Sequence, residues 1–84
     1  MTFIEKYQNE STWYGKILIM GIYHTVMCQK YPKEWTLHHT ANDFGVSIGL
    51  TSENIRLAVA LDTNPGLINC KSRADALDKL NKIF

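Results

Sequence analysis

The stretch that decides the fold reads TLHHTANDFGVSIGLTSENIRLAVAL and spans residues 36–61. Its first part predicts a short helix over residues 37–44, with Thr36 as the N-cap. Gly45 follows at the position where a helix ends in the left-handed conformation that favours glycine. Ser47 then caps a second helix, which we expect to continue to residue 60 or 61. The apolar residues of the first helix recur at helical spacing on one face, and they are Leu37, Ala41 and Phe44.

Helix-breaking residues on the N-terminal side of this stretch delimit a longer helix, over about residues 12–31. Ser11 or Thr12 can cap it, and Pro32 stops it. Its apolar residues populate more than one face, so the helix is either central to the core or shared with a partner chain. The amount of surface that a small domain must bury favours the first alternative.

On the C-terminal side, Asn64 and Pro65 predict a short turn that begins with proline at its first position. A last helix is expected over about residues 72–83, because Ser72 and Asp75 form a variant of the capping box. Its apolar face is predicted to consist of Ala74, Leu77, Leu80 and Ile83. No segment has the pattern of a strand. The sequence therefore predicts an all-α fold, a single four- to five-helix domain over residues 1–84.

Two short helices joined by a glycine turn are the helix-turn-helix pattern, which presents the start of its second helix to the major groove of DNA. Serine and arginine can bond to base edges, and leucine can contact a thymine methyl group. The backbone amides at the start of the last helix favour a phosphate. The predicted DNA-binding residues are Thr36, Ser47, Gly49, Leu50, Ser52, Glu53, Arg56, Lys71, Ser72 and Arg73.

Residues 35–47, WTLHHTANDFGVS, resemble the helix-turn-helix of ParB/KorB-type partition and regulatory proteins, and so do residues 54–61, NIRLAVAL. The tail is also similar to the phage and plasmid branch of that family, with PGL at 65–67 and KSRADAL at 71–77. The resemblance covers roughly residues 11–80. It implies an all-helical DNA-binding domain from a mobile element or a bacterium.

Three positions depart from the family pattern. Leu50 stands where threonine or serine is usual, and Thr51 stands where valine is usual. Glu53 stands where arginine is common, and a carboxylate there repels phosphate, although it can accept a bond from cytosine. The nucleotide-hydrolysing domain of the larger family has no counterpart in this sequence, so neither nucleotide hydrolysis nor a partition role is carried over.

Charge, cysteine content and hydropathy limit the kinds of protein that this sequence can encode. The net charge is only +1, lower than is usual for a DNA-binding domain. Two cysteines are too few for a disulfide scaffold. The start of the chain lacks the apolar core of an export signal, and the apolar stretch at residues 17–28 is too short to span a membrane. We therefore expect a cytoplasmic or nucleoid-associated protein without a membrane partner.

Histidine and cysteine offer the candidates for metal binding or catalysis. His24 and Cys28 lie one helical turn apart, and His38 and His39 follow later. Adjacent histidines point in different directions on a helix, and no second cysteine pair exists to complete a zinc site. A buried cysteine on an apolar helix is more often a small hydrophobic residue than a nucleophile. We predict neither a metal site, nor a cofactor, nor enzymatic activity.

Two functions follow from these patterns. The first is sequence-specific binding of double-stranded DNA by a phage- or plasmid-type transcriptional regulator. It would act as a homodimer on half-sites about 34 Å apart, with the long helix or the last helix in the dimer contact. The alternative is a helix-turn-helix that now binds another protein, as an anti-repressor or inhibitor, which the near-neutral charge, Glu53 and the apolar long helix favour. The sequence leaves open that the chain is one domain of a longer protein.

Overall fold

The fold is known from a computed structural model, which describes residues 2–83 apart from the side chain of residue 83. Over that range the chain forms five α-helices and one 3-10 turn, with no β-strand, so the all-α prediction is confirmed. The helices are α1 (Phe3–Asn9), α2 (Trp13–Lys30), α3 (Leu37–Phe44), α4 (Ile48–Thr63) and α5 (Arg73–Ile83), and the 3-10 turn is Pro65–Asn69.

Capping residues set the helix boundaries where the sequence predicts them. Thr12 Oγ1 accepts the backbone N–H of Gly15 at 3.0 Å at the start of α2. Ser47 Oγ accepts the N–H of Leu50 at 3.1 Å at the start of α4. Each bond satisfies one of the amides that a helix start leaves without an intrahelical partner. The predicted range of α3 is confirmed, and α4 continues two residues beyond its predicted end, to Thr63.

The first helix, α1, was not predicted. A capping box holds its start, because Glu5 N–H donates to Thr2 Oγ1 at 3.1 Å and Thr2 N–H donates to Glu5 Oε1 at 3.2 Å. None of its residues is buried. It docks through ring edges, with Phe3 on Tyr23 at a centroid distance of 5.6 Å. Burial, together with a hydrogen bond to Asp43, raises the pKa of Tyr23 to about 12.

The core lies where α2 packs against α4. The two helices run in opposite directions, since Trp13 at the start of α2 donates its Nε1–H to the carbonyl of Cys70, beyond the end of α4, at 3.1 Å. A Cβ built on Gly21 of α2 would lie 2.6 Å from the Cβ of Ala58 of α4. Glycine at residue 21 therefore permits the close contact. The buried core cluster consists of Ile17, Leu57, Ala60, Leu61, Leu67, Cys70, Ala76 and Leu80.

The predicted apolar face of the last helix is partly wrong. Ala76 and Leu80 are buried and Leu77 is half-buried, whereas Ala74 is exposed. The side chain of the fourth predicted residue, Ile83, lies outside the described residues. The prediction took residues at every third position. Side chains at that spacing rotate by about 300° per step around the helix axis, which is about 60° short of a full turn, so they drift off one face. The buried residues of α5 are instead one full turn apart.

We expect Gly21→Ala to destabilise the fold. Overpacking costs about 1–3 kcal/mol, more than the gain in helix propensity of up to about 1 kcal/mol. The free energy of unfolding, measured by urea titration, should therefore fall. Adding Ala58→Gly to the same chain should restore part of the loss, because it removes the opposing Cβ. Gly49→Ala, with no heavy atom within 4 Å of the added Cβ, is the control. Equal stability of Gly21→Ala and the parent would contradict the close contact.

Candidate functional site

The turn between α3 and α4 is closed by backbone hydrogen bonds. Gly45 is left-handed, with φ of 69° and ψ of 33°. Its N–H donates to the carbonyl of Asn42 at 3.2 Å, and the N–H of Val46 donates to the carbonyl of Ala41 at 3.0 Å. These bonds satisfy carbonyls at the end of α3, and the chain then enters α4 at Ser47. The order of the two helices and the glycine turn between them are those that the sequence predicts.

The start of α4 exposes most of the side chains that the sequence predicts as base contacts. Gly49, Ser52, Glu53 and Arg56 are all exposed. They are spaced as i, i+3, i+4 and i+7, so they share one side of the helix. We call these four residues the α4 outer face. Ser47 is exposed at its N-terminal edge.

Two neighbouring positions do not belong to the α4 outer face. Leu50, a predicted contact, is half-buried, and Thr51 is fully buried. The hydroxyl of Thr51 donates to the carbonyl of Ser47 at 2.9 Å, which satisfies it inside the fold. Thr51, which stands where the resembling family usually carries valine, therefore packs inside the fold. Leu50 exposes only part of its side chain to a ligand.

Arg73 reaches from the start of α5 to α4. Its Nε–H donates to Asn54 Oδ1 at 2.6 Å, and its Nη2 donates to Glu53 Oε1 at 2.8 Å. Asn54 is 2% exposed, so Arg73 supplies the partner of a buried carbonyl group. The Glu53–Arg73 ion pair is partly exposed and contributes no more than about 1 kcal/mol. The Arg73 guanidinium compensates the charge of the Glu53 carboxylate.

Helix α5 contacts the α4 outer face at Arg56 and carries two further predicted contacts at its start. Arg56 donates a hydrogen bond to Asn81 of α5. Lys71 and Ser72 are exposed at the start of α5. Ser72 Oγ accepts the N–H of Asp75 at 3.2 Å, whereas the Asp75 carboxylate accepts from Lys71 N–H at 3.4 Å, which is the predicted variant of the capping box.

Thr36, also a predicted contact, is exposed at the start of α3. Its backbone N–H donates to His39 Nδ1 at 3.2 Å. The ring of His39 stacks on Trp35 at a centroid distance of 4.9 Å. Thr36 therefore belongs to the N-terminal cap of α3. The stacked rings of Trp35 and His39 support this cap and hold the first turn of α3 in place.

A polar network that the sequence did not reveal ties α2 to α3. Thr40 is fully buried, and its Oγ1 accepts from Trp35 Nε1 at 2.9 Å and lies 2.6 Å from His24 Nδ1. The hydroxyl can bond to both rings at once, and His24 Nε2 is the ring nitrogen that does not contact Thr40. That nitrogen lies 3.5 Å from Cys28 Sγ. The network fixes α3 relative to α2.

Two grooves flank the exposed edge of α4. The α4–α5 groove has a volume of about 760 Å³ and is lined by residues that include Leu37, Arg56, Val59, Leu80 and Asn81. The α2–α4 groove has a volume of about 460 Å³, and its lining includes Leu18, Ile22, Val26, Ile55 and Val59. Both grooves are mostly apolar, and Ile55 and Val59 border both. The helix-turn-helix is therefore surrounded by apolar surface.

Among the described residues, no three histidine, cysteine or acidic side chains come together as a metal site would require. No helix in the same range is long and apolar enough to cross a membrane. Comparison of the chain with protein-family models, with curated proteins and with solved structures finds no match. The residues and their geometry are therefore the basis for inferring function.

The buried network generates a prediction on pH. Burial lowers the pKa of His24 in the folded chain below its ordinary value of about 6.5. The unfolded chain then binds more protons, so His24 makes the fold lose stability as pH falls from about 6.5 through the folded pKa. Urea titrations between about pH 7.5 and 5.5 should show this loss in the parent.

The matched variants are His24→Gln and His38→Gln. The first should flatten the pH dependence in that window, whereas the second, at an exposed position of α3, should leave it unchanged. An equally steep loss of stability in His24→Gln would contradict the assignment.

Proposed function

We propose that the chain binds double-stranded DNA sequence-specifically, as a phage- or plasmid-type transcriptional regulator, with the start of α4 in the major groove. The observation that carries the proposal is the α4 outer face, which is exposed directly after a left-handed glycine turn. A helix presented in this way is the reading element of a helix-turn-helix. The sequence resemblance to ParB/KorB-type domains supports the same function.

Arg56 is the residue that we expect to read a base. Its guanidinium is exposed on the α4 outer face, and arginine pairs with guanine O6 and N7 in the major groove. The neighbouring Ser52 can bond to either a base or a phosphate. The hydrogen bond from Arg56 to Asn81 uses one of five N–H donors, so a bidentate pair remains available.

Arg73 is suited to a phosphate contact. Two of its donors hold Asn54 and Glu53, and an arginine has five. The ion pair also removes the objection that Glu53 repels the backbone of DNA. With Lys71 and Arg73 as the phosphate contacts, log K should fall with log salt with a slope of about −2 per chain.

The test is binding of the whole chain to a duplex selected from a random pool, followed by fluorescence anisotropy over about 50–300 mM salt. The proposal predicts tighter binding to the selected duplex than to a scrambled one, with the slope given above. Failure of the folded protein to bind any duplex at about 50 mM salt would overturn it.

Arg56→Ala should weaken binding to the selected duplex by about tenfold to a hundredfold, because a bidentate base contact contributes about 1–3 kcal/mol. It should also relax specificity at one base pair. Lys82→Ala is the matched control, since it removes the same charge from a residue that pairs with Asp78 near the end of α5, at 3.0 Å. Equal losses in the two variants would show that charge alone, and not base reading, explains the effect of Arg56.

Substitutions of Arg73 separate its two roles. Arg73→Ala should weaken binding uniformly across sequences and flatten the salt slope by about 1, whereas Arg73→Lys keeps the charge and the slope. Both should lower the free energy of unfolding by about 1–3 kcal/mol, because Asn54 Oδ1 loses its partner. An unchanged salt slope in Arg73→Ala would contradict a phosphate contact.

A second candidate function is binding of another protein through the same helices. The apolar α4–α5 groove favours it, because Leu37, Val59 and Leu80 line this groove beside Arg56. Such a surface suits an amphipathic helix with an acidic residue opposite Arg56. A folded protein without duplex binding at low salt would make this the function to pursue.

A further inference from the structure

An aliphatic stripe on α2 faces away from the core. Leu18, Ile22 and Val26 are one turn apart, and they are 37%, 54% and 43% exposed. They belong to the same helix as the buried Ile17 and Met20, so α2 has apolar residues on both its inner and its outer side. This arrangement matches the alternative that the sequence left open, in which the long helix is shared with a partner chain.

The stripe continues across the α2–α4 groove onto α4. Val59, which is 62% exposed, and Ile55 lie on the opposite wall. Because Gly21 allows α2 to approach Ala58 of α4 closely, the groove between the two helices is shallow. The residues on its two walls therefore form one continuous surface. Asp62 is the charged residue in the lining of this groove. We call this surface, formed by Leu18, Ile22, Val26, Ile55, Val59 and Asp62, the aliphatic face.

We propose that the aliphatic face binds the aliphatic face of a second copy of this chain. The outer sides of α2 and α4 then stack on their symmetry mates, and the result is a four-helix packing between two copies. The proposal goes beyond DNA binding and does not depend on it, because it rests on exposed apolar surface alone.

The size of the face fits a dimer that dissociates on dilution. The residues of the face span positions 18–26 of α2 and 55–62 of α4, so the face is about 12 Å long, and two helix diameters make it about 20 Å wide. Two such faces cover a projected area of roughly 500 Å², which is the size of a weak contact between copies. A second copy of equal area covers it completely.

Charge favours a second copy over a charged partner. The face offers one carboxylate, Asp62, at the end of the groove where α4 finishes, and the remaining members are aliphatic. A two-fold axis in the interface, perpendicular to the helices, places the two Asp62 side chains at opposite ends of the dimer. Like charges are thereby separated by the length of the face, roughly 12 Å, which exceeds the Debye length at physiological salt. Aliphatic residues of one copy then meet aliphatic residues of the other.

The face leaves the candidate DNA contacts at the start of α4 accessible. It follows α2 and the C-terminal half of α4, whereas Ser47, Gly49 and Glu53 lie in the first two turns of α4. Two copies joined in this way each retain an exposed start of α4.

The experiment is sedimentation velocity of the whole chain without DNA, over about 1 μM to 1 mM. The parent should shift from monomer to dimer within this range. Ile22→Glu should stay monomeric, because dimerisation would bury a carboxylate in apolar surroundings. Val59→Glu tests the α4 side of the face in the same way. Both residues are more than half exposed, and circular dichroism should show that the variants keep their helices.

Ile68→Glu is the matched control, since Ile68 is 43% exposed in the 3-10 turn, outside the aliphatic face. It should dimerise like the parent. Mixing Ile22→Glu with Ile22→Lys should restore association between oppositely charged copies. A parent that remains monomeric at every concentration overturns the proposal, as does a dimer that both Ile22→Glu and Val59→Glu leave intact. Because DNA is absent, either result is separate from the test of DNA binding.

Discussion

The close contact of α2 with α4 at Gly21 is the constraint on which the rest of the structure depends. A Cβ at this position would overlap the methyl group of Ala58, so only glycine lets the two helices meet at this distance. On either side of the contact, Ile17 and Met20 reach the centre of the core. Close packing brings more atoms into van der Waals contact, and a chain with such a small core needs that gain. The same contact turns the outer edge of α4 toward solvent.

Buried polar groups then fix the other helices around α4. Asn54 accepts from Arg73 of α5 and donates its Nδ2–H toward Met20 Sδ of α2 at 3.5 Å. The Thr40 hydroxyl joins His24 of α2 to α3 in a similar way. A buried polar group that loses its partner costs about 1–3 kcal/mol, so these contacts favour one arrangement of the helices over other packings of the same apolar residues. The orientation of the helix-turn-helix depends on side chains outside it.

Local chemistry explains which parts of the fold the sequence could predict. The bounds of α3 follow from Thr36 and Gly45, which act within one turn of themselves, and the exposed positions of α4 follow from helical spacing. The bond between Arg73 and Asn54 joins residues 19 apart on different helices, and no periodic pattern indicates it. For that reason Glu53 was interpreted as a liability near phosphate, whereas the structure pairs it with Arg73. The capping box at Thr2 could have indicated α1, but its few apolar residues made no recognisable stripe.

The attachment of α1 by aromatic edges and by one hydrogen bond, from Lys16 Nζ to the carbonyl of Tyr7 at 2.7 Å, has a consequence for the dynamics of the molecule. Helices of fewer than about 12 residues are marginal in water, and α1 has 7 residues with none buried. Its amide protons should therefore exchange with solvent through a local opening of low free energy, well before the global unfolding that exposes the amides of α2 and α4. In that opened state the rings of Tyr23 and Phe44 lose their covers, Phe3 and Tyr7, while the helices behind them remain folded. We therefore expect two cooperative units, a terminal helix that opens readily and a body that opens as a whole.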